Sequence, residues 1–89
     1  MSSNQPPTST EFRAALNELL GSAGKRHAEF VDVRSGDLHR TVGWYPGPDH
    51  RMPACCGVMR AAMKPGDKVL RAPPKGNGAN LFIRYALPR

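Results

Sequence analysis

Between Trp44 and Pro53 the chain gathers two aromatic rings, three prolines, His50 and Arg51 within ten residues. An aromatic ring, a proline face, a histidine and a guanidinium supply the parts of a small pocket for an extruded or modified base, or for an unusual phosphate group. The same residues also suit a rigid loop whose Trp44 and Tyr45 close the edge of a core. Residue types alone are consistent with either.

Cys55 and Cys56 are the only cysteines, and they are adjacent. Neighbouring thiols share one tetrahedral ion poorly, and His39 and His50 add no C-x-x-C or H-x-x-x-H spacing, so no metal and no cofactor are expected. Adjacent cysteines cannot staple distant segments, which fits a reduced pair. They follow Pro53 in a first helical turn, where they act either as reactive, redox-sensing thiols or as small buried hydrophobes, the commoner role. The acids Glu11, Glu18, Glu29, Asp32, Asp37, Asp49 and Asp67 are scattered, with no carboxylate cluster for metal-dependent nuclease work. No enzyme is expected.

Charge points elsewhere. Thirteen Lys and Arg stand against seven Asp and Glu, a formal +6 with a pI near 10.0, on 89 residues. An excess of that size on a small domain favours a polyanionic partner, nucleic acid before membrane. No run approaches the ~18 apolar residues of a membrane span, and no signal peptide is apparent, so a cytoplasmic location is expected. With 39% hydrophobic residues and six aromatics the core must be thin, and every large apolar side chain is needed in it.

The elements that position these residues follow from local pattern. Residues 1–9 are polar and proline-bearing, a disordered leader to one domain over 10–89. Thr8 and Glu11 have capping-box spacing, and the helix they open is expected to run to about Leu20, with Phe12, Leu16, Leu19 and Leu20 on its core stripe. Gly21 to Gly24 should end it, and Lys25-Arg26-His27 make a basic turn. A strand is expected over 29–33. A short helix over 35–42 carries Leu38 and Val42 on one face, with Ser35 as its cap and Gly43 as its stop. After the connection 44–52, Pro53 opens a helix that continues to Lys64, where Pro65-Gly66 stops it. Cys55, Cys56, Met59 and Met63 form its core side. Ala54, Gly57 and Ala61 lie on another face, either packed against a neighbouring helix or left bare for close approach of a partner. Strands over 68–72 and 80–87 should pair antiparallel around the loop 73–79. In the second, Leu81, Ile83, Tyr85 and Leu87 alternate with Phe82, Arg84 and Ala86, Arg84 being solvated.

The order helix, strand, helix, helix, strand, strand resembles the winged helix-turn-helix family over about residues 10–88. That resemblance implies an α+β fold of three helices with a small antiparallel sheet. It also implies a second helix of the pair, over 50–64, entering the major groove of duplex DNA, and a hairpin tip at Lys75-Gly76-Asn77-Gly78 acting as a flexible wing. Arg40, Arg51, Arg60, Lys64 and Lys75 are then the expected phosphate contacts, with His39 extending the basic surface. Tyr45, His50 and Asn77 are candidates for groove or base contacts. The expected function is non-catalytic binding of double-stranded DNA, as a transcription regulator or as a targeting module of a restriction or defence system with a separately encoded partner. The alternative is a protein-interaction adaptor on the same fold.

Overall fold

The computed structural model describes residues 6–47 and 50–88. Three helices pack on one face of a three-stranded antiparallel sheet. The elements run α1 (Ser9–Lys25), β1 (Phe30–Arg34), α2 (Ser35–Val42), α3 (Met52–Ala61), β2 (Lys68–Arg71) and β3 (Phe82–Ala86). The coarse α+β expectation is met.

β3 is central, with β1 and β2 antiparallel on either side. Its alternation explains the layering. Leu81, at its entrance, and Ile83 and Tyr85 within it are fully buried toward the helices, and Tyr85 donates its hydroxyl hydrogen to the Met59 carbonyl at 2.8 Å. On the outer face Arg84 is not simply solvated, as expected. It clasps its cross-strand neighbour Asp32 with two hydrogen bonds, Nε at 2.8 Å and Nη2 at 3.1 Å, while its guanidinium lies 4.0 Å from the centre of the Phe30 ring. A planar fork over an aromatic face covers an otherwise exposed apolar side chain.

α1 starts as its capping box directs: Thr8 Oγ1 accepts from the Glu11 N–H and the Glu11 carboxylate accepts from the Thr8 N–H. Its end differs. The helix passes through Gly21 and Gly24 to Lys25, because the buried stripe is Phe12, Leu16, Leu20 and Ala23, and both glycines face open solvent. Leu19, expected in the core, is 38% exposed. The leader also ends sooner than expected: Pro7 is buried and Ser9 is helical, whereas residues 1–5 lie outside the described chain.

α2 spans the expected residues, but Ser35 is not its cap. Arg34 occupies the cap position without a side-chain bond, and Ser35 Oγ donates instead to the Gly78 carbonyl. α3 begins one residue before Pro53 and ends at Ala61 rather than Lys64. Beyond it the Asp67 carboxylate takes the Lys64 N–H at 2.8 Å, closing a turn. β1 is shifted by one residue at the expected length, β2 and β3 are shorter than expected, and a register shift between Val69 and Arg71 marks a bulge at Leu70 in β2.

The connection from β2 to β3 is not a free hairpin tip. Gly78 exchanges hydrogen bonds with Cys56 Sγ at 3.4 Å, the Gly36 N–H donates to Ala79 O at 3.0 Å, and the Ser35 N–H donates to Leu81 O at 2.9 Å. These bonds strap the loop across the start of α2 and the middle of α3. Among the described residues no helix is long and apolar enough to cross a membrane.

Candidate functional site

The connection between α2 and α3 hangs on one buried side chain. His39, on the inner face of α2, is fully buried. Its Nδ1 meets the Gly43 carbonyl at 2.9 Å and its Nε2 meets the Arg51 N–H at 2.8 Å. A backbone N–H can only donate and a carbonyl can only accept, so the proton of His39 sits on Nδ1 and Nε2 is bare. His39 is therefore not part of an exposed basic surface, as expected. It is a post that fixes both ends of residues 43–51.

Around that post the rings form a chain from core to surface. Phe12 and His39 meet edge to face at 4.9 Å between centres, Tyr45 leans against His39 at 5.3 Å, and His50 stands nearly perpendicular to Tyr45 at 5.9 Å. Tyr45 is half-buried and His50 exposed. Trp44 does not close the core: it takes a left-handed backbone conformation, φ +69°, and is 39% exposed. Pro48 and Asp49, also in the connection, lie outside the described residues.

Tyr45 and His50 line a concavity of about 300 Å³ with Met52 and Pro53 at the start of α3 and Asn77, Gly78 and Ala79 of the strapped loop. The three residues expected to reach bases are thus assembled on one site from two distant stretches of chain. Sequence reasoning missed that Gly78 and Ala79 share it, because only the strap brings the loop to the helix, and that Met52 does. No acid among the described residues lines it.

The cations distribute around this site. Arg40 places its guanidinium carbon 5.5 Å from the Tyr45 ring centre. Arg60, on the exposed side of α3, donates to the Gly76 carbonyl and to Asn77 Oδ1 at 3.2 Å, so it fastens the loop as well as carrying charge. Lys75 is exposed on the same loop, and Arg51 is exposed at the start of α3. Lys64 stands apart. It lines a groove between α1 and α3 with Asn17, Leu20 and Val58, away from Tyr45 and Asn77.

Cys55 and Cys56 are unpaired thiols with no exposed surface. Cys55 donates toward the Ser35 carbonyl at 3.5 Å, and burial, with the neighbouring Cys56 adding to it, pushes its thiol up to about 12. The site therefore offers rings, hydrogen-bond donors and cations, with no activated nucleophile at Cys55. No known family model, curated protein or solved structure matches this chain.

Proposed function

We propose that this chain is a non-catalytic winged helix-turn-helix module that binds double-stranded DNA, with α3 presented to the groove. The observation that carries this reading is the outward side of α3. Pro53, Gly57, Arg60 and Ala61 are exposed, and a Cβ placed on Gly57 would meet nothing within 4 Å. Gly57 packs on no other element and leaves room for a backbone to approach closely, whereas Ala54 packs against the core and Ala61 borders the groove between α1 and α3. No acid occurs in the helix. Arg51 at its start, Arg60 near its end, Lys64 just beyond it and Lys75 on the strapped loop supply phosphate contacts, and Arg40 adds charge beside Tyr45. Such a module serves transcription regulation or targets a separately encoded partner of a restriction or defence system in the cytoplasm.

The adaptor reading draws on a different feature. β2 is an edge strand with all four residues exposed, Val69 and Leu70 at 45% and 41%. An uncovered apolar edge suits strand addition by a protein partner.

The two part in one titration of a labelled duplex, followed by anisotropy at low and moderate salt. DNA binding predicts affinity that falls steeply with salt and a log–log slope reduced by about 0.9 in Arg51→Ala and in Lys75→Ala. Gly57→Glu, which adds a carboxylate to the bare side of α3, should weaken duplex binding more than tenfold. No binding at low salt despite the charge of +6 sinks the DNA reading.

A further inference from the structure

The concavity between Tyr45 and Asn77 has a composition that phosphate binding does not call for. Two of its wall residues have a cation beside them, Arg40 at Tyr45 and Arg60 at Asn77, yet the walls themselves are rings, a thioether and an amide. The hydrogen-bonding state of each polar wall group follows from its partners. Arg60 can only donate, so the oxygen of the Asn77 amide faces Arg60 and the NH₂ is left to face elsewhere. His50 Nδ1 accepts the Met52 N–H at 3.3 Å, which puts the ring proton of neutral His50 on Nε2. The carbonyl of Gly78 is spent on Ser35 and Cys56, and that of Ala79 on Gly36. This wall therefore carries two donors, the Asn77 amide and the His50 ring N–H, beside the Tyr45 ring, against which His50 stands nearly perpendicular.

We infer that this concavity is a binding site for a single unpaired nucleobase, stacked on the Tyr45 ring and held through its carbonyl acceptors by Asn77 and His50. The inference rests on the nucleic-acid reading above and gives it a ligand. A volume of about 300 Å³ sits at the lower end of small-molecule sites, enough for one planar heterocycle. A base in a duplex cannot reach a recess of this kind, whereas an extruded or single-stranded one can, and aromatic stacking is what such a base gains on leaving the helix. Arg40 lies over the Tyr45 ring, leaving the ring's other face for a base, and Arg60 bonds Asn77, so each of these two wall groups has a cation at hand for the phosphates of a captured nucleotide. The rigidity of the walls also fits: His39 anchors the Tyr45 side, and the bonds among Gly78, Ser35 and Cys56 anchor the Asn77 side.

The test compares oligothymidylate with an abasic strand of the same length, which keeps the phosphates and lacks the bases. A fully paired duplex and a duplex with one central T·T mismatch complete the set, and Trp44, the single tryptophan, reports binding beside the site. The expected result is about tenfold tighter binding of oligothymidylate than of the abasic strand. Asn77→Asp should erase that preference while keeping an acceptor for Arg60, and an unchanged urea midpoint of the variant excludes a folding defect as the cause. Tyr45→Ala should erase it as well. Tighter binding of the mismatched than of the paired duplex assigns the site to an extruded base, and preference confined to single strands assigns it to single-stranded nucleic acid; both support the inference. Equal affinity for the thymidylate and abasic strands overturns it, as does a preference that survives both variants. If paired duplex is still bound in either case, the base site fails and the DNA reading stands.

Discussion

The imidazole of His39 accepts the backbone N–H of Arg51, twelve residues ahead, at 2.8 Å. This one bond joins α2 to the first turn of α3, and its counterpart on the other ring nitrogen holds Gly43, where the chain leaves α2. The relation between α2 and α3 is thus held by a buried side chain of α2 that grips both ends of the connection.

Replacing His39 by alanine removes both hydrogen bonds and the edge contact with Phe12, and leaves a part-buried carbonyl and N–H without that partner. The expected cost is about 2–4 kcal/mol of unfolding free energy. On a domain of this size that is a large share of the total, and a denaturant midpoint well below the parent's checks it. A shift worth less than about 1 kcal/mol would show that the connection does not depend on this post.

Asp32 and Arg84 predict an acid dependence. The hydrogen bonds from Arg84 hold the Asp32 carboxyl below its ordinary 3.8, with the guanidinium charge adding to this and slight burial opposing it. A carboxyl lowered in the folded state stabilises that state above its unfolded value and loses the contribution as pH falls through the folded one. Asp32→Asn should therefore be less stable than the parent at pH 7, and the gap should close toward pH 2. The pair is only half-buried at the surface, where solvent screens it, so the effect is small. Urea midpoints of both proteins at the two pH values read it out, and a gap that persists in acid would assign the loss to something other than this ion pair.

Parts of this fold were legible because one local period dominated them. The alternation through Leu81, Ile83 and Tyr85 placed the central strand, and Thr8 with Glu11 placed the start of α1. The end of α1 was not legible, since Gly21 and Gly24 read as stops when taken as residue types. Only the packing of Ala23 shows that the buried stripe continues past them. His39 and Arg60 were read as surface charge because their partners, Arg51 and the loop at Gly76-Asn77, come near only after the chain folds. Tyr45 and His50 were suspected together as parts of one connection, and Asn77 separately at a hairpin tip. What joined them is the strap from Ser35 and Cys56 to Gly78, which has no local signature.

Cys55 should be chemically silent in the native state. With its thiol pushed up to about 12, only about one molecule in ten thousand is thiolate at pH 8. Both sulfurs are also fully buried. Iodoacetamide under native conditions should leave the protein unmodified over hours, and two adducts should form in guanidinium, as mass spectrometry would show. Rapid native alkylation would revive a redox-sensing role for the pair.

Two helical glycines should respond to a side chain with opposite signs. At Gly57 in α3 a Cβ enters open space, so Gly57→Ala should stabilise by about 0.5–1 kcal/mol, the difference in helix propensity. At Gly36 in α2 a Cβ would stand 3.1 Å from both the Cβ and the carbonyl oxygen of Ala79, the oxygen that the Gly36 N–H bonds. The branched side chain of Gly36→Val must push the strapped loop away, costing about 1–3 kcal/mol and loosening the wall that carries Asn77. Thermal unfolding of the two variants should move in opposite directions. Oligothymidylate binding should weaken in Gly36→Val alone, because Gly57 lies outside the recess. A Gly36→Val protein as stable as the parent would mean that the loop does not rest on α2, and the rigid base site would lose its support.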